Sequence, residues 1–173
     1  MTLHGVVLQT RAWAAAIFLG AGFCGAVHMG AQADGLFEFT AGALDHRADE
    51  GRAYARRLGI AADRAYGDWQ EMLAGEKGRA DRVNLVTVAT PNATHFEITK
   101  AFLEAGFNVL CEKPMTMTVE QGEEIVRVAE KTGNICAVNY CYSAYPMIRQ
   151  ARAMVRAKEV GKVRLVVTNF SHG

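Results

Sequence analysis

The chain has almost no net charge and no paired cysteines, and these two absences narrow what it can do. Its 19 basic and 18 acidic residues are interspersed and give a formal net charge of +1. This balance gives no support for a nucleic acid or a membrane surface as the main partner. No two of the cysteines form the Cys-x-x-Cys pair of a zinc or redox site, so we expect no metal site and reduced thiols, which favour a cytoplasmic location. The cysteines are Cys24, Cys111, Cys136 and Cys141.

Internal repeats and low-complexity segments are also absent, and half of the residues are apolar. A packed core is therefore expected, and disorder is not. The length of 173 residues suits one domain of ordinary size, or one domain and part of a second. No linker is evident before residue 160.

The first 33 residues allow two interpretations. An apolar stretch over 12–27 follows Arg11, and Ala31-Gln32-Ala33 resembles a signal-peptidase site, as in a cleaved export signal. The stretch is too short and too rich in glycine for a membrane span. The competing interpretation is a first strand, a glycine turn and a helix. We favour it because cleavage would remove a part that the rest of the predicted fold needs.

Short apolar runs alternate with longer amphipathic ones from residue 14 onward, and this pattern predicts strands that alternate with helices. Thr94 with Glu97, and Thr118 with Gln121, have the spacing of helix capping boxes. The order predicts an α/β fold with a doubly wound parallel sheet of the Rossmann-like type, which binds ligands at the carboxyl ends of its strands. The predicted strands cover 14–19, 37–44, 83–89, 108–111, 135–139 and 163–170. The predicted helices cover 25–33, 49–58, 69–74, 94–105, 118–132 and 145–158.

The segment GAGFCG fits the Gly-x-Gly-x-x-Gly pattern of dinucleotide-binding folds. Gly20 permits a tight turn, Gly22 lets the backbone approach a pyrophosphate, and Gly25 lets the next helix pack closely on the strand. Asp45 follows about twenty residues later, where a carboxylate accepts hydrogen bonds from an adenosine ribose. Arg47 can instead meet a 2′-phosphate, so NAD and NADP are both open as cofactors. A plain turn and a solvated loop residue are the simpler interpretations of the glycines and of Asp45.

A second loop follows the strand over 83–89 and contains Thr90, Pro91 and Asn92. Such a loop can contact the ribose and nicotinamide of a cofactor, or it can serve only as a strand-to-helix turn. His95 lies in the first turn of the next helix. Its position fits structural support of the loop better than catalysis.

A third loop, Glu112-Lys113-Pro114, follows the strand over 108–111 and is expected at the same edge of the sheet. A surface ion pair beside a turn proline is the simpler interpretation. The functional one depends on the proline, which biases Lys113 away from helical backbone angles and so holds its ammonium in a fixed direction. An ammonium there can stabilise the alkoxide that develops during hydride transfer, while Glu112 holds the lysine and the cofactor ribose.

Three segments, TPNATH, AFLEAGFNVLCEKPMTMT and YSAYPMIRQAR, resemble the N-terminal domain of the glucose–fructose oxidoreductase and inositol dehydrogenase (Gfo/Idh/MocA) family. The resemblance covers residues 20–173 and implies that Lys113 is the active-site lysine. It places Asn139 near nicotinamide and substrate, and Tyr142 and Tyr145 on the substrate side, with interface packing as the alternative for the tyrosines. The residues expected to bind or support NAD or NADP are Gly20, Gly22, Gly25, Asp45, Thr90, Pro91, Asn92, His95, Glu112, Lys113 and Asn139.

By this resemblance the chain is an NAD(P)-dependent oxidoreductase that passes a hydride between a secondary alcohol of a sugar or polyol and the nicotinamide. The family has a second domain that supplies substrate contacts and a residue for proton transfer. We therefore expect a dinucleotide-binding domain over 1–160 and only the start of a second α+β domain over 161–173, with 163–170 as its first strand. The alternatives are a dinucleotide-binding module without catalysis and an exported ligand-binding protein. Association into a homo-oligomer is left open.

Overall fold

The structure is a computed structural model that describes residues 12–18, 37–169 and 171. The described residues up to Asn139 belong to one compact unit, and those from Tyr140 onward belong to a second. The predicted helix over 25–33 and the three motif glycines lie outside the described residues.

A single parallel sheet forms the centre of the first unit. Its strands, among the described residues, are β1 (Ala12–Phe18), β2 (Phe37–Ala43), β3 (Ala65–Tyr66), β4 (Leu85–Ala89), β5 (Asn108–Glu112) and β6 (Cys136–Asn139). They lie in the order β3-β2-β1-β4-β5-β6, which is the strand order of doubly wound dinucleotide-binding folds. The predicted Rossmann-like sheet is confirmed. The strand order reverses between β1 and β4, the position at which such sheets bind ligands.

The register of the sheet brings the ends of its strands into line. Ile17 of β1 pairs with Ala43 of β2 on one side and with Val88 of β4 on the other. Val88 pairs with Cys111 of β5, and Cys111 pairs with Val138 of β6. Because the strands are parallel, the loops that follow these residues all emerge at one edge, which we call the carboxyl edge.

Helices cover the sheet between the strands, and two of their starts have side-chain caps. Asp68 accepts a hydrogen bond from the N–H of Glu71 at 2.7 Å, and Thr118 accepts one from the N–H of Gln121 at 3.3 Å. The cap predicted at Thr118 is confirmed, although the Gln121 side chain accepts from the N–H of Met117 and not from that of Thr118. The α-helices of the described residues are α1 (Ala48–Arg57), α2 (Trp69–Lys77), α3 (His95–Glu104), α4 (Val119–Thr132) and α5 (Pro146–Arg156).

The capping box predicted at Thr94 and Glu97 is wrong. A 3-10 turn, Asn92–Thr94, precedes α3 and gives Thr94 helical backbone angles (φ −99°, ψ −9°) where a capping residue is extended. The Thr94 hydroxyl lies 2.8 Å from the Pro91 carbonyl oxygen and 2.7 Å from the Thr90 hydroxyl. This side chain therefore braces the loop after β4 and does not cap the helix.

A core of apolar side chains lies between the sheet and helices α3 and α4. Val86, Val88 and Val109 have no exposed surface, as is typical of central parallel strands. Phe102 of α3 meets Phe107 edge to face, with ring centroids 5.5 Å apart. This packing holds the end of α3 against the start of β5.

A buried ion pair lies beside β3, the edge strand of the sheet. Glu76 of α2 has no exposed surface and accepts hydrogen bonds from Arg64 Nε at 3.0 Å and Arg64 Nη2 at 2.6 Å. The Tyr66 hydroxyl and the Val83 N–H each donate to the same carboxylate at 3.0 Å. The short strand β3 is thereby linked to α2 and to the segment before β4.

The second unit contains α5, which has Pro146 in its first turn as predicted and has no buried residue. The strand predicted over 163–170 is wrong for residues 163–169, which have no regular secondary structure, while Phe170 lies outside the described residues. A strand needs a hydrogen-bonded neighbour, and the described chain gives this segment none. Within the described ranges, no helix is both long and apolar enough to cross a membrane.

Candidate functional site

The carboxyl edge collects most of the predicted site residues that the structure describes. Asp45 comes two residues after β2, and Thr90 directly follows β4. Glu112 ends β5 and Lys113 follows it, while Asn139 ends β6 beside Glu112 in the register. Three loops that are far apart in the sequence thus meet at one edge of the sheet.

A cavity of about 280 Å³ opens between the loops that follow β2 and β4. Asp45 and His46 line one side, and Thr90 and Pro91 line another. The ring of Trp69, at the start of α2, also lines it. With Ala43 and Ile98, these side chains make a mostly apolar pocket that has a carboxylate in its wall.

Asp45 is held in its ionised form. Its Oδ1 accepts a hydrogen bond from the Arg47 N–H at 2.9 Å, and Arg47 Nε and His46 Nδ1 lie 3.4 and 3.1 Å away. The Arg47 N–H is the main reason why the pKa of Asp45 lies below its usual value. Arg47 also donates to Glu50, so its guanidinium is engaged by two carboxylates.

A second cavity, of about 240 Å³, lies between the loops after β4 and β5. It shares Thr90 with the first cavity and is also lined by Asn92, His95, Glu112 and Lys113. Five of its six lining residues have polar side chains, and the sixth is Ala89. The two cavities share a wall residue, so they are neighbours along the carboxyl edge.

Glu112 is fixed by two neighbours, and neither is the Lys113 ammonium. Its Oε2 accepts from the Lys113 backbone N–H at 3.1 Å, and its Oε1 accepts from the Asn139 side-chain amide. The surface ion pair between Glu112 and Lys113 is not formed. Within the described part of the chain, the Lys113 ammonium has no hydrogen bond or ion pair, and the residue is exposed. The peptide bond between Lys113 and Pro114 is cis.

His95 connects the loops after β4 and β5. Its ring is 1% exposed, with Nδ1 at 2.7 Å from the Pro114 carbonyl oxygen and Nε2 at 2.8 Å from the Thr90 carbonyl oxygen. The role of His95 as a support for the loop after β4 stays a prediction. Its contact with the loop after β5 was not predicted.

The other predicted site residues are the three glycines of the motif and two tyrosines. Gly20, Gly22 and Gly25 lie outside the described residues. Tyr142 and Tyr145 belong to the second unit, where their rings meet edge to face at 5.4 Å and are half-exposed or more.

Sequence reasoning missed the side of the first cavity that carries His46, Asp68 and Trp69. The two-residue strand β3 just before it is too short to give an alternating pattern. The available signal was Asp68, a good capping residue placed directly before a predicted helix. No group of three or more metal-ligating side chains occurs among the described residues.

Comparisons with known proteins agree with this fold. Residues 15–140 match a family described as an oxidoreductase family with an NAD-binding Rossmann fold, GFO_IDH_MocA. The chain is 44% identical over 137 residues to an uncharacterized oxidoreductase, YfiI, of Bacillus subtilis, and 31% identical over 134 residues to D-xylose 1-dehydrogenase (NADP(+)) 2 of Haloferax volcanii. These alignments cover 79% and 78% of the chain.

A solved structure is also similar. The crystal structure of an inositol dehydrogenase homolog from Azotobacter vinelandii, complexed with NADH and myo-inositol, matches 90% of the chain with a TM-score of 0.85 and 37% identity. The chain spans 35% and 39% of the length of the two curated relatives and 42% of that structure.

Proposed function

We propose, from the premise that the chain belongs to the Gfo/Idh/MocA oxidoreductase family, that it forms the cofactor-binding part of an NAD-dependent dehydrogenase of sugars or polyols. One observation carries the proposal. Two neighbouring cavities along the carboxyl edge share Thr90, one holding an ionised carboxylate and the other an exposed lysine. This is the arrangement that an extended dinucleotide and an alcohol substrate need.

The residues of the first cavity fit the adenosine half of a dinucleotide. Trp69, Pro91 and Ile98 offer apolar surface to a flat base, and the Asp45 carboxylate can accept hydrogen bonds from ribose hydroxyls. We place the pyrophosphate at Gly20, Gly22 and Gly25, because that motif follows β1 at the point where the strand order reverses.

The charges beside the first cavity favour NAD over NADP. The ionised Asp45 repels a 2′-phosphate, and the Arg47 guanidinium, which would attract one, is already bound by Asp45 and Glu50. Binding of NADH and NADPH, measured side by side, tests this preference.

The second cavity fits the reacting end of the complex. Bound NAD supplies the hydride acceptor. Lys113 is the proposed catalytic residue, since its ammonium is free to donate a hydrogen bond to the substrate oxygen and to stabilise the charge that develops there. Glu112, held by Asn139, fixes the backbone of Lys113 at its N–H. Thr90 and Asn92 would line the ribose and nicotinamide.

Two tyrosines are the proposed substrate contacts. Tyr142 and Tyr145 would contact the sugar or polyol, and residues 161–173 would begin a second domain. We propose a cytoplasmic location, with export as the alternative. We also propose that the chain associates into a homo-oligomer, which a measurement of its mass in solution tests.

A fluorescence titration with NADH and NADPH tests the proposal, because Trp69 lines the first cavity and reports locally on a bound ligand. NADH should bind at least about tenfold more tightly than NADPH, and Asp45→Asn should reduce that ratio, since a hydrogen bond to a charged group contributes about 1.5–3 kcal/mol. The control is Asp49→Asn, an exposed acid in the first turn of α1 that lines neither cavity. A folded chain that binds neither nucleotide would contradict the proposal.

Turnover is measured separately with myo-inositol, the polyol named for the Azotobacter homolog. Lys113→Met should abolish reduction of NAD while NADH still binds. A wild-type chain that binds NADH without turnover would support the alternative of a binding module without catalysis.

A further inference from the structure

His95 has an unusual pair of neighbours for a buried histidine. Its Nδ1 faces the Pro114 carbonyl oxygen at 2.7 Å, and its Nε2 faces the Thr90 carbonyl oxygen at 2.8 Å. Both distances are those of good hydrogen bonds. The residue is 1% exposed, so water has little access to its ring nitrogens.

Both partners are backbone carbonyl oxygens, which accept hydrogen bonds and cannot donate them. A neutral imidazole has one N–H and one nitrogen with a lone pair. A neutral ring in this place would therefore point a lone pair at the lone pairs of a carbonyl oxygen only 2.7 or 2.8 Å away, a repulsive contact in place of a hydrogen bond. A ring with two N–H groups satisfies both oxygens.

We propose that His95 is a positioning residue that carries a proton on both ring nitrogens and so clamps the loop after β4 to the loop after β5. On one side the clamp holds the carbonyl of Thr90, the residue shared by both cavities. On the other side it holds the carbonyl of Pro114, the residue next to Lys113. The clamp thus fixes the distance between the proposed cofactor loop and the proposed catalytic lysine.

Some of the groups around the ring favour a positive charge on it, and others oppose one. Glu112 lines the same cavity and favours a cation, whereas Lys113, which also lines it, opposes one. Burial and the amino end of α3 also oppose a cation, and Glu97 in the same helix turn is exposed. The two carbonyl oxygens and Glu112 outweigh the opposing groups in this proposal.

The proton count is measured by long-range ¹H–¹⁵N correlation of the imidazole rings in the ¹⁵N-labelled chain at about pH 7. The signals of His95 are those lost in His95→Gln. If that variant does not fold, single glutamine substitutions at the other four of the 5 histidines identify the His95 signals by elimination. Two protonated ring nitrogens are expected. One unprotonated nitrogen in the His95 ring would overturn the proposal.

The positioning role depends on the proposed function and needs a second measurement. In His95→Gln, the backbone amide signals of Thr90 and Lys113 should both shift, and the dissociation constant for NADH should rise about tenfold, the loss expected for a hydrogen bond from a charged donor. Glu97→Gln, in the same helix turn, is the matched control and should change neither.

The outcomes separate the two claims. If the wild-type chain binds no dinucleotide, the proposed function fails while the ring-proton result still decides the clamp. If NADH binds equally to the wild type and to His95→Gln, and the signals of the two loops stay in place, the positioning role is overturned.

Discussion

The buried carboxylate of Glu76 allows a direct test of how much one buried ion pair contributes to the stability of this fold. Glu76→Gln keeps the shape of the side chain but replaces one acceptor oxygen by an NH₂ group. The carboxylate is fully buried and accepts from Arg64, from the Tyr66 hydroxyl and from the Val83 N–H. An NH₂ group in this place faces donors, and the Arg64 cation loses its main partner.

The expected cost is large. Removing one partner of a buried ion pair typically costs about 3–5 kcal/mol, because the other charge stays buried without compensation. Asp81 moderates this, since its Oδ2 lies 3.6 Å from Arg64 Nη1 and its carbonyl accepts from Arg64 Nη2 at 3.2 Å. We therefore expect the free energy of unfolding to fall by about 3 kcal/mol.

Urea denaturation of the wild type and the variant measures this loss, provided that both transitions are two-state. Glu71→Gln is the control on the same helix. Glu71 is half-exposed and pairs with Arg52 at 2.7 Å, and such pairs contribute about 0–1 kcal/mol. If Glu76→Gln costs no more than Glu71→Gln, the argument from burial is wrong.

Three further predictions concern the same unit. Gly75→Ala should lower the free energy of unfolding, measured in urea, by about 1–3 kcal/mol. The added Cβ would lie 2.6 Å from Tyr66 Cε1, in a ring that Glu76 holds in place. Gly78→Ala is the control and should be nearly neutral, because the space around Gly78 is open. Burial and Glu76 raise the pKa of Tyr66 to about 12, above its ordinary value of 10.0, so its contribution to stability is complete below pH 10.0 and should be lost as the pH rises towards 12. Tyr66→Phe should flatten this loss in alkaline urea titrations, and an unchanged pH profile would contradict the assignment. Gly133→Ala should cost about 1 kcal/mol in thermal unfolding, because Gly133 ends α4 with φ of +72°, and no loss of stability would show that the turn relaxes.

Much of the first unit could be predicted from local patterns. The apolar runs at β4, β5 and β6, and the helix-terminating glycines Gly59 and Gly133, carry their own structural information. Parallel topology then brings the loops after these strands to one edge without any further assumption. The grouping of Asp45, Thr90 and Lys113 at that edge follows from this rule alone.

The parts that could not be predicted depend on contacts between distant residues. The strand β3 pairs only Ala65 with Gly42 and Tyr66 with Ala43, so no periodic pattern marks it. Thr94 has the sequence of a cap, but the 3-10 turn before α3 directs its hydroxyl to the Thr90 loop.

The contacts of His95 are a second example. Its partners are two backbone carbonyl oxygens, and a backbone oxygen leaves no signature in the sequence. At 163–169 the sequence pattern predicted a strand that the structure does not have. The apolar alternation of this segment is that of a strand, but alternation alone does not supply a neighbouring strand.

The central claim is that the carboxyl edge binds a nicotinamide dinucleotide, and amide chemical-shift mapping during a titration with NADH tests it most directly. Saturable shifts should concentrate at Asp45, Thr90 and Lys113, which follow or end three different strands. Gly106 and Gly133 precede β5 and β6 at the opposite edge of the sheet, and their signals should stay unchanged. Saturable shifts at those two glycines without shifts at the carboxyl edge, or no shifts in a folded chain, would contradict the account.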